Sequence, residues 1–333
     1  MAPPPSPSPV PKTRAALALP VISLAALEAG EGAGRDNEVA ALRAACLEHG
    51  FIYLVDHGVT PALIAEVFAE TRRFFDLPMD EKRLMDKAHS ACNRGYEPLG
   101  GQVLEPGAPP DLKEGYYIGE DLPADDPRVR AGLFNHGPNL WPVGLPGWRE
   151  TMETYFAVMV GLSARMMSAL ALSLGLGPDH FADFCTDPMA TLRLLHYPPQ
   201  PPNPAPGEKG CGAHTDFGAL TLLLQDDAGG LQVWSGSKGW IDAPPVAGAF
   251  VVNLGDLMGR WTNQTYRSTL HRVINASGRD RYSVPFFYTG RADHVVECLE
   301  TCRAPTETAL HPPVTAIGHL MEMYSRTYAP AAR

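Results

Sequence analysis

A histidine and an aspartate stand two positions apart in residues 212–220, GAHTDFGAL. If this segment is a strand, successive side chains point to opposite faces, so His214 and Asp216 share one face and Thr215 points away. An imidazole and a carboxylate on one face can hold a metal ion, and they can equally form a surface pair. A chain with 11 histidines has a substantial chance of containing one such match, so the motif needs support from elsewhere.

Two motifs further along the chain supply that support. YRSTLHRVI brings His271 in a second strand-like run, and RYSVPFF places Arg281 and Ser283 on one face of another strand. Two neutral imidazoles and one carboxylate leave the opposite side of a metal ion open, as in non-haem iron oxygenases. Arg281 offers a planar fork of donors to a carboxylate, and Ser283 adds a hydroxyl. Together they can anchor one end of a dicarboxylate whose other end chelates the metal.

The composition indicates a globular protein that acts on a small molecule. The chain has 333 residues, of which 45% are hydrophobic, and this suffices for a substantial core. Its formal net charge is -10. Nucleic-acid binders usually carry a basic face, so we expect a small-molecule partner and no nucleic acid.

The cysteine pattern and the N-terminus favour a cytoplasmic location. The six cysteines include no C-x-x-C pair, so neither a zinc ribbon nor a disulfide framework is indicated, and we expect reduced thiols. The apolar stretch after Lys12 and Arg14 is similar to an export signal, but Pro20 interrupts it and LPVISL is typical of a first strand. We identify no apolar run that approaches the length of a membrane span, so no membrane partner is expected.

The N-terminal half has the pattern of helices. Residues 1–18, rich in Pro and Ala, are predicted to form a flexible tail. Helical periodicity begins at Asp36 and again after Thr60, which precedes a proline suited to the first helical position. A long helix, apolar nearly all round, begins at Trp148 and is predicted to pack against a sheet.

Loops and strands dominate the remaining sequence. Residues 88–145 are rich in Gly, Pro and Asp, and a loop region of that length is usually functional. After residue 189, short strand-like runs separated by Gly and Pro indicate a sandwich or barrel. A final amphipathic helix is predicted over residues 314–328.

The ordered set H-x-D, H and R-x-S resembles the 2-oxoglutarate and iron(II)-dependent oxygenases, specifically the isopenicillin N synthase-like family. LPVISL is similar to the family's opening strand, and AACLEHGFIYLVDHGV to its helix followed by a strand ending in H-G-V. LRLLHYPPQPP matches its tyrosine-proline-proline segment, while AHTDFGALTLLLQDDAGGLQV and NLGDLMGRWTNQTYRSTLHRV match its metal-bearing strands. The resemblance covers nearly the whole chain.

The resemblance implies an all-β core with flanking helices (α+β), a double-stranded β-helix or jelly roll. It implies one oxygenase domain over residues 19–333, with a helical and loop N-terminal part at 19–188. The jelly-roll core would lie mainly at 189–290, followed by the C-terminal helix at 314–328.

The resemblance also assigns roles in the site. It implies that iron(II) is bound by His214, Asp216 and His271, and that the distal carboxylate of 2-oxoglutarate is bound by Arg281, Ser283 and, through a hydrogen bond, Tyr197. Many plant members have an asparagine at the position of Leu195, so that polar contact is missing here. The implied reaction uses iron(II), 2-oxoglutarate and dioxygen, releases succinate and carbon dioxide, and most often hydroxylates a C–H bond. It requires no general base, so no catalytic side chain is predicted beyond the metal ligands.

Candidate substrate residues come from two loop segments and two apolar positions. SACNRGYEPLG corresponds to a loop near the substrate mouth in relatives, and DLKEGYYIG contains further aromatic and basic residues. Arg94 can recognise an acid group or remain a solvated charge, and the tyrosines of DLKEGYYIG can line a cavity or simply pack on the barrel. The candidates are Asn93, Arg94, Tyr96, Lys113, Tyr116, Trp261 and Phe287.

Other polar residues are interpreted as structural. We predict a turn role for His57 and expect His196 to point away from the face of Tyr197. Asn253 and Asp256 are typical turn-formers, although Asn253 can also support a metal ligand.

Two other functions fit the same residues. An oxidase of this fold without 2-oxoglutarate would direct R-x-S at the substrate's own carboxylate. A binding or sensor protein could keep the barrel without catalysis, but it would have no need of open metal positions. The substrate, the choice among hydroxylation, desaturation and ring closure, and the oligomeric state are left open.

Overall fold

A computed structural model describes residues 18–201, 204–304 and 306–327. The predicted flexible tail, residues 1–18, lies outside the described residues except for its last position. The last residue of the predicted C-terminal helix, residue 328, also lies outside them.

Helices and strands alternate in the N-terminal half, and strands dominate the C-terminal half. The helices are α1 (Leu24–Leu27), α2 (Ala33–Glu48), α3 (Pro61–Phe75), α4 (Met79–Arg83), α5 (Pro127–Arg130), α6 (Trp148–Ser173), α7 (Asp256–Trp261) and α8 (Ala316–Thr327). The strands are β1 (Val21–Ser23), β2 (Phe51–Val55), β3 (Gly95–Glu97), β4 (Glu114–Ile118), β5 (Pro188–Tyr197), β6 (Cys211–His214), β7 (Leu220–Gln225), β8 (Leu231–Ser235), β9 (Gly239–Asp242), β10 (Phe250–Leu254), β11 (His271–Val273), β12 (Arg281–Arg291), β13 (Val295–Val296) and β14 (Val314–Thr315).

Two sheets face each other across an apolar core. The large sheet has the strand order β1-β2-β10-β7-β12-β5-β4-β3, and the small sheet has the order β6-β11-β8-β9. Tyr53, Leu195 and Val251 of the large sheet form one buried cluster with Val233 and Val273 of the small sheet. This arrangement agrees with the predicted double-stranded β-helix, and the prediction of an all-β core with flanking helices is confirmed.

The second face of the large sheet is covered by helices. Because side chains alternate along a strand, Leu192 and Leu194 of β5 point to the helical layer, whereas Leu195 and Tyr197 point to the small sheet. The prediction of a helix after Thr60 is confirmed, since the Thr60 hydroxyl accepts from the first turn of α3. Because the helices cover one face of the large sheet and the small sheet covers the other, side chains on both faces of its central strands are buried. The sequences of these strands are therefore nearly continuous apolar runs.

Helix α6 corrects one expectation from the sequence. It is 26 residues long and, by length and composition alone, apolar enough to cross a membrane, so the statement that no run approaches that length is wrong. Half of its most apolar window is buried, and it packs against α2, α3, β5 and β12, as predicted for a helix supporting a sheet.

The predicted loop region 88–145 contains regular structure that the sequence pattern did not indicate. Strands β3 and β4 extend the large sheet beyond β5, and α5 follows them. Strand β4, EGYYI, is buried at every position, so it lacks the alternation of apolar and polar residues that identifies a half-exposed strand.

Candidate active site

Three side chains from the small sheet and the turn beside it converge in the structure. His271, the first residue of β11, pairs directly with His214, the last residue of β6. Nε2 of His214 and Nε2 of His271 each lie 3.8 Å from Oδ1 of Asp216. All three possible ligand atoms lie within 4.8 Å of one another.

Asp216 reaches the cluster from a turn and not from the strand that the sequence suggested, because β6 ends at His214. Its backbone carbonyl accepts from the backbone N–H of Asp256 at 2.8 Å, and its Oδ2 accepts from Nδ2 of Asn253 at 2.7 Å. A Cβ on Gly255 would lie 2.2 Å from the carbonyl oxygen of Gly218. Glycine is therefore required where these two backbone segments meet. The contact of Asn253 with Asp216 is the one that a supporting role for Asn253 would need.

Burial and the neighbouring groups together give His214, His271 and Asp216 the protonation states that bind a metal ion. Burial lowers the pKa of His214, and burial together with the charge of His214 lowers the pKa of His271 to about 4. Burial opposes ionisation of Asp216, but the neighbouring imidazoles and hydrogen bonds from Asn253 and Thr221 lower the pKa of its carboxyl. Two neutral imidazoles and one carboxylate result at neutral pH.

The imidazoles also have the required tautomer. Nδ1 of His214 lies 2.8 Å from the carbonyl oxygen of Gly212, and Nδ1 of His271 lies 3.2 Å from that of Thr269. A carbonyl oxygen only accepts, so each Nδ1 carries the proton and each Nε2 presents a lone pair toward Asp216. Ligand atoms about 2.1 Å from a common ion are at most about 4.2 Å apart, so both 3.8 Å separations fit one ion. This donor set suits Fe(II) and leaves one side of the ion free.

An inner cavity, with about 520 Å³ of empty space, extends from the three ligands to Arg281. Arg281 is fully buried, and its Nε donates to the carbonyl oxygen of Gly229 at 2.7 Å. Its Nη1 donates to the Ser283 hydroxyl at 3.2 Å, and its guanidinium carbon lies 4.7 Å from the Tyr197 ring centroid. The structure thus brings Arg281, Ser283 and Tyr197 into one cavity with the candidate metal ligands.

An outer cavity with about 600 Å³ of empty space, part of it open to solvent, lies on the other side of the ligands. Aromatic walls come from Phe217, Phe287 and Tyr324, and hydroxyl groups come from Thr191 and Thr289. The two cavities share the following residues: Leu104, Arg193, His214, Asp216 and Phe287. A metal ion at the cluster would therefore meet one small molecule from each side.

Comparison with known families supplies the deciding observation. The family model described as non-haem dioxygenase in morphine synthesis N-terminal matches residues 19–144, and the 2OG-Fe(II) oxygenase superfamily model matches residues 188–290. A 2-oxoglutarate-Fe(II) type oxidoreductase, hxnY of Emericella nidulans, is 42% identical over 317 residues, which cover 94% of this chain and 91% of the relative. The chain belongs to the 2-oxoglutarate/Fe(II) oxygenases.

Further relatives of this oxygenase support the same family. The 2-oxoglutarate-dependent dioxygenase citB of Monascus ruber is 44% identical over 86% of this chain and 88% of its own. A full-length Neurospora crassa protein crystallised with alpha-KG and 5-formyluracil is 30% identical, with a TM-score of 0.80 over 96% of this chain and 98% of that one. The isopenicillin N synthase-like assignment is thereby confirmed, and the chain is an Fe(II)- and 2-oxoglutarate-dependent dioxygenase that uses dioxygen and acts on a small molecule.

The predicted substrate residues of the oxygenase separate into two groups. Phe287 lines both cavities, while Lys113 lines the inner one and forms an ion pair with Asp111. Arg94 lines a smaller pocket beside the outer cavity, and Asn93 donates to the side chain of Asn135 at 2.7 Å.

Tyr96, Tyr116 and Trp261 line neither the inner cavity, nor the outer cavity, nor the smaller pocket, so the structure does not bring them together with the other candidates. Tyr116 points to the helical face of β4, and its hydroxyl donates to the carbonyl oxygen of Leu140. Tyr96 lies in the same core and donates to Glu114, while Trp261, the last residue of α7, also packs in this core. Their large rings stabilise the helix–sheet interface. Tyr117, the neighbour of Tyr116, faces the outer cavity because adjacent strand residues point to opposite faces.

Several residues that line the cavities of the oxygenase were missed from the sequence. Arg193 stands two positions before Leu195 and four before Tyr197, so the period of two on β5 could have placed it on their face. Leu320 and Tyr324 occupy one face of α8, but nothing local in the sequence indicates that α8 closes the outer cavity.

Two other histidines have the structural roles expected for them. Nε2 of His57 lies 3.0 Å from the carbonyl oxygen of Gly248, and its Nδ1 accepts from the backbone of Val59. His196 points to the opposite face from Tyr197 and lies between Glu114 and Asp280.

Proposed function

We propose that His214, Asp216 and His271 bind the iron of this oxygenase, and that Arg281 and Ser283 bind the distal carboxylate of 2-oxoglutarate. The observation that carries the proposal is the position of the three ligands at the junction of two cavities. One of these cavities ends at a buried guanidinium with no carboxylate beside it among the residues described.

The side chains of this oxygenase bind and orient the reactants. Bound iron would supply the reduction of dioxygen, coupled to the conversion of 2-oxoglutarate into succinate and carbon dioxide. Arg281 holds the far end of the keto acid, Asn253 orients Asp216, and Leu104 and Phe287 give an apolar lining to both cavities beside the candidate ligands. The substrate in the outer cavity presents a C–H bond, most often for hydroxylation, and no protein base has to remove a proton.

The separate inner cavity distinguishes this function from an oxidase of the same fold. If Arg281 bound the substrate's own carboxylate, a single substrate would have to extend from Arg281 in the inner cavity past the candidate metal ligands into the outer cavity. Two cavities with shared walls favour two organic molecules, a cosubstrate and a substrate. A protein that only binds ligands would not need the open side of a metal ion.

The outer cavity favours a small planar ring as substrate. Phe217, Phe287 and Tyr324 offer ring faces or edges, and Arg193 and Asn135 offer polar groups to substituents. The Neurospora crassa protein of similar fold was crystallised with 5-formyluracil, which is such a ring.

We also propose that residues 19–333 form one oxygenase domain located in the cytoplasm. All six cysteines, which lie within the described ranges, are free thiols, and this supports a reducing compartment.

Iron-dependent succinate formation tests the proposed function. The protein loaded with iron(II) is incubated with 2-oxoglutarate and dioxygen, and slow succinate formation without substrate is measured. We expect succinate from the wild type and from Asp125→Ala, which removes an exposed aspartate far from the cluster in sequence, and none from Asp216→Ala. A folded Asp216→Ala protein with undiminished succinate formation would refute the metal assignment, and a wild type that does not bind 2-oxoglutarate would favour the oxidase.

A further inference from the structure

A side pocket adjoins the outer cavity on the side away from Arg281. It contains about 340 Å³ of empty space and shares four lining residues with the outer cavity. These are Asn135, Thr191, Thr289 and Leu320. Arg94 lines the side pocket, so a molecule in the outer cavity can extend toward its guanidinium.

Arg94 is a buried cation that has no counter-ion among the residues the structure describes. It is 2% exposed, its Nη1 donates to the carbonyl oxygen of Cys92 at 2.9 Å, and its Nη2 donates to that of Asn135 at 2.6 Å. Its Nε has no hydrogen-bond partner. Within the described ranges, no carboxylate lies within 4.0 Å of its guanidinium nitrogens. Burial lowers the pKa of Arg94, which reflects the cost of keeping this charge away from water.

The other buried cations show that a buried guanidinium without a carboxylate partner is unusual in this protein. Lys82 pairs with Glu114, Lys113 with Asp111, and Arg193 with Glu97. Of the buried lysines and arginines in the described part of the chain, the two without a carboxylate partner are Arg281 and Arg94. Arg281 is the residue assigned to the carboxylate of 2-oxoglutarate. Buried charges are paired in folded proteins, so the same reasoning assigns an anion to Arg94.

The surroundings hold the Arg94 guanidinium in place. A Cβ on Gly119 would lie 1.9 Å from Nη2 of Arg94, so only glycine leaves room for the side chain. Glu120 also lines the side pocket, but its carboxylate is bound by Arg128 at 3.1 Å. A fixed guanidinium loses little conformational freedom when it binds a ligand.

We propose that the substrate of this oxygenase carries a carboxylate that Arg94 binds in the side pocket while the carbon to be oxidised lies beside the metal ligands. This inference rests on the proposed function, because it takes the outer cavity as the substrate site. It narrows the substrate to an organic acid whose charged group is remote from the reacting carbon. Thr191 and Thr289, which line both the side pocket and the outer cavity, would contact the part of the acid between the two ends.

Binding of matched acids and amides tests the inference. The probes are benzoate, 3-phenylpropanoate and 5-phenylpentanoate with their primary amides, which have nearly the same shape and no charge. Each is titrated calorimetrically into the anaerobic complex of the protein with iron(II) and 2-oxoglutarate. A charge-assisted hydrogen bond predicts that at least one acid binds about tenfold or more tightly than its amide.

Substitutions assign the preference to Arg94. We expect Arg94→Gln to reduce the preference for the acid to within about twofold and to leave the affinity for 2-oxoglutarate unchanged. Arg130→Gln, which removes an exposed arginine of α5, is the matched control and should keep the full preference. An unchanged acid preference in folded Arg94→Gln would overturn the assignment.

Wild-type measurements decide the inference even if Arg94→Gln does not fold. A crystal structure with the tightest acid should show its carboxylate on the Arg94 guanidinium, and a carboxylate on Arg193 would overturn the inference. Equal affinity for every acid and amide would overturn it as well. If 2-oxoglutarate itself fails to bind in the same titrations, the proposed function fails, and this result is distinct from the loss of acid preference alone.

Discussion

At the scale of residues, the site depends on buried groups whose charge or orientation is fixed by neighbours. Arg281 is fully buried, and its guanidinium is held in position because Gly229 and Ser283 accept hydrogen bonds from it. Asp216 keeps its orientation because Asn253 donates to its carboxylate and the backbone N–H of Asp256 donates to its carbonyl oxygen. Each of these contacts predicts the effect of a substitution.

Replacement of Arg281 is expected to weaken 2-oxoglutarate binding selectively. Arg281→Gln removes the charge that meets the distal carboxylate, a contact of about 1.5–3 kcal/mol, so the KM for 2-oxoglutarate should rise by about tenfold to a hundredfold. Arg281→Lys should show a partial loss because lysine lacks the planar fork. Arg279→Gln, at an exposed ion pair with Asp227, serves as the control. An unchanged KM in Arg281→Gln would show that this cation does not bind the cosubstrate.

Asn253 is expected to act through Asp216. Asn253→Ala removes the amide that donates to Oδ2 at 2.7 Å, and loss of such a supporting contact typically costs tenfold to a hundredfold in metal affinity. Titration with Co(II), followed by its visible spectrum, measures the affinity, and Gln232→Ala on the small sheet is the control. Equal Co(II) affinities in Asn253→Ala and the wild type would contradict the role.

At the scale of elements, strand pairing and one helix decide which side chains meet. The register that places His271 opposite His214 is specific, because a shift by one residue would turn His271 to the other face of β11. Helix α8 closes the outer cavity with Leu320 and Tyr324. The same helix carries His319, which is buried and whose two ring nitrogens find no hydrogen-bond partner in the described part of the chain.

Protonation of His319 is expected to destabilise the protein in acid. Burial, assisted by the charge of Arg260, lowers the pKa of His319 from 6.5 to about 4. A group with a lowered pKa in the folded state favours the neutral form, so the free energy of unfolding should fall as pH drops from about 6.5 toward 4. The full difference corresponds to about 3 kcal/mol.

Urea unfolding at pH 7 and pH 4.5 measures this effect. The His319→Leu variant should lose less stability between these two pH values than the wild type, whereas His89→Leu, near the surface, should behave as the wild type does. Equal losses in the wild type and His319→Leu would show that His319 does not titrate during unfolding.

At the scale of the whole molecule, the site joins parts of the chain that are far apart in sequence. The inner cavity lies between the two sheets, and the outer cavity is completed by the loop with Gln102, by Asn135 and by α8. A ligand that binds this assembly and not the unfolded chain must stabilise all of it.

Metal and 2-oxoglutarate are therefore expected to raise the melting temperature. At a hundred times its Kd, a single ligand adds about 2.7 kcal/mol, which exceeds the effect of most single contacts. Mn(II) with 2-oxoglutarate under argon should raise the Tm of the wild type, and a chelator should reverse the rise. The Tm of Asp216→Ala should not respond, and an equal rise in that variant would place the metal elsewhere.

Sequence alone indicated most of the core strands and the candidate ligands. His214, Asp216, His271, Arg281 and Ser283 stand out because few residue types bind metals or carboxylates. Spacing along a strand correctly placed Arg281 and Ser283 on one face of β12, whereas Asp216 lies beyond the end of β6. The side of β4 that faces the cavity was harder to predict from the sequence. All of its residues are buried, so the pattern does not reveal which side contains the cavity.

Hydrophobic periodicity therefore indicated a sandwich or barrel, ligand chemistry singled out the candidate metal and carboxylate ligands, and the resemblance to a known family implied the jelly roll and the role of each residue. Tertiary structure decided that Tyr117 and not Tyr116 faces the outer cavity, that Trp261 packs in the core, and that α8 lines the outer cavity. It also showed that Arg94 is buried without a carboxylate partner in the described ranges. The physical reason is that periodicity and residue chemistry act over a few neighbouring residues, whereas burial, counter-ions and cavity walls depend on segments that only folding brings together.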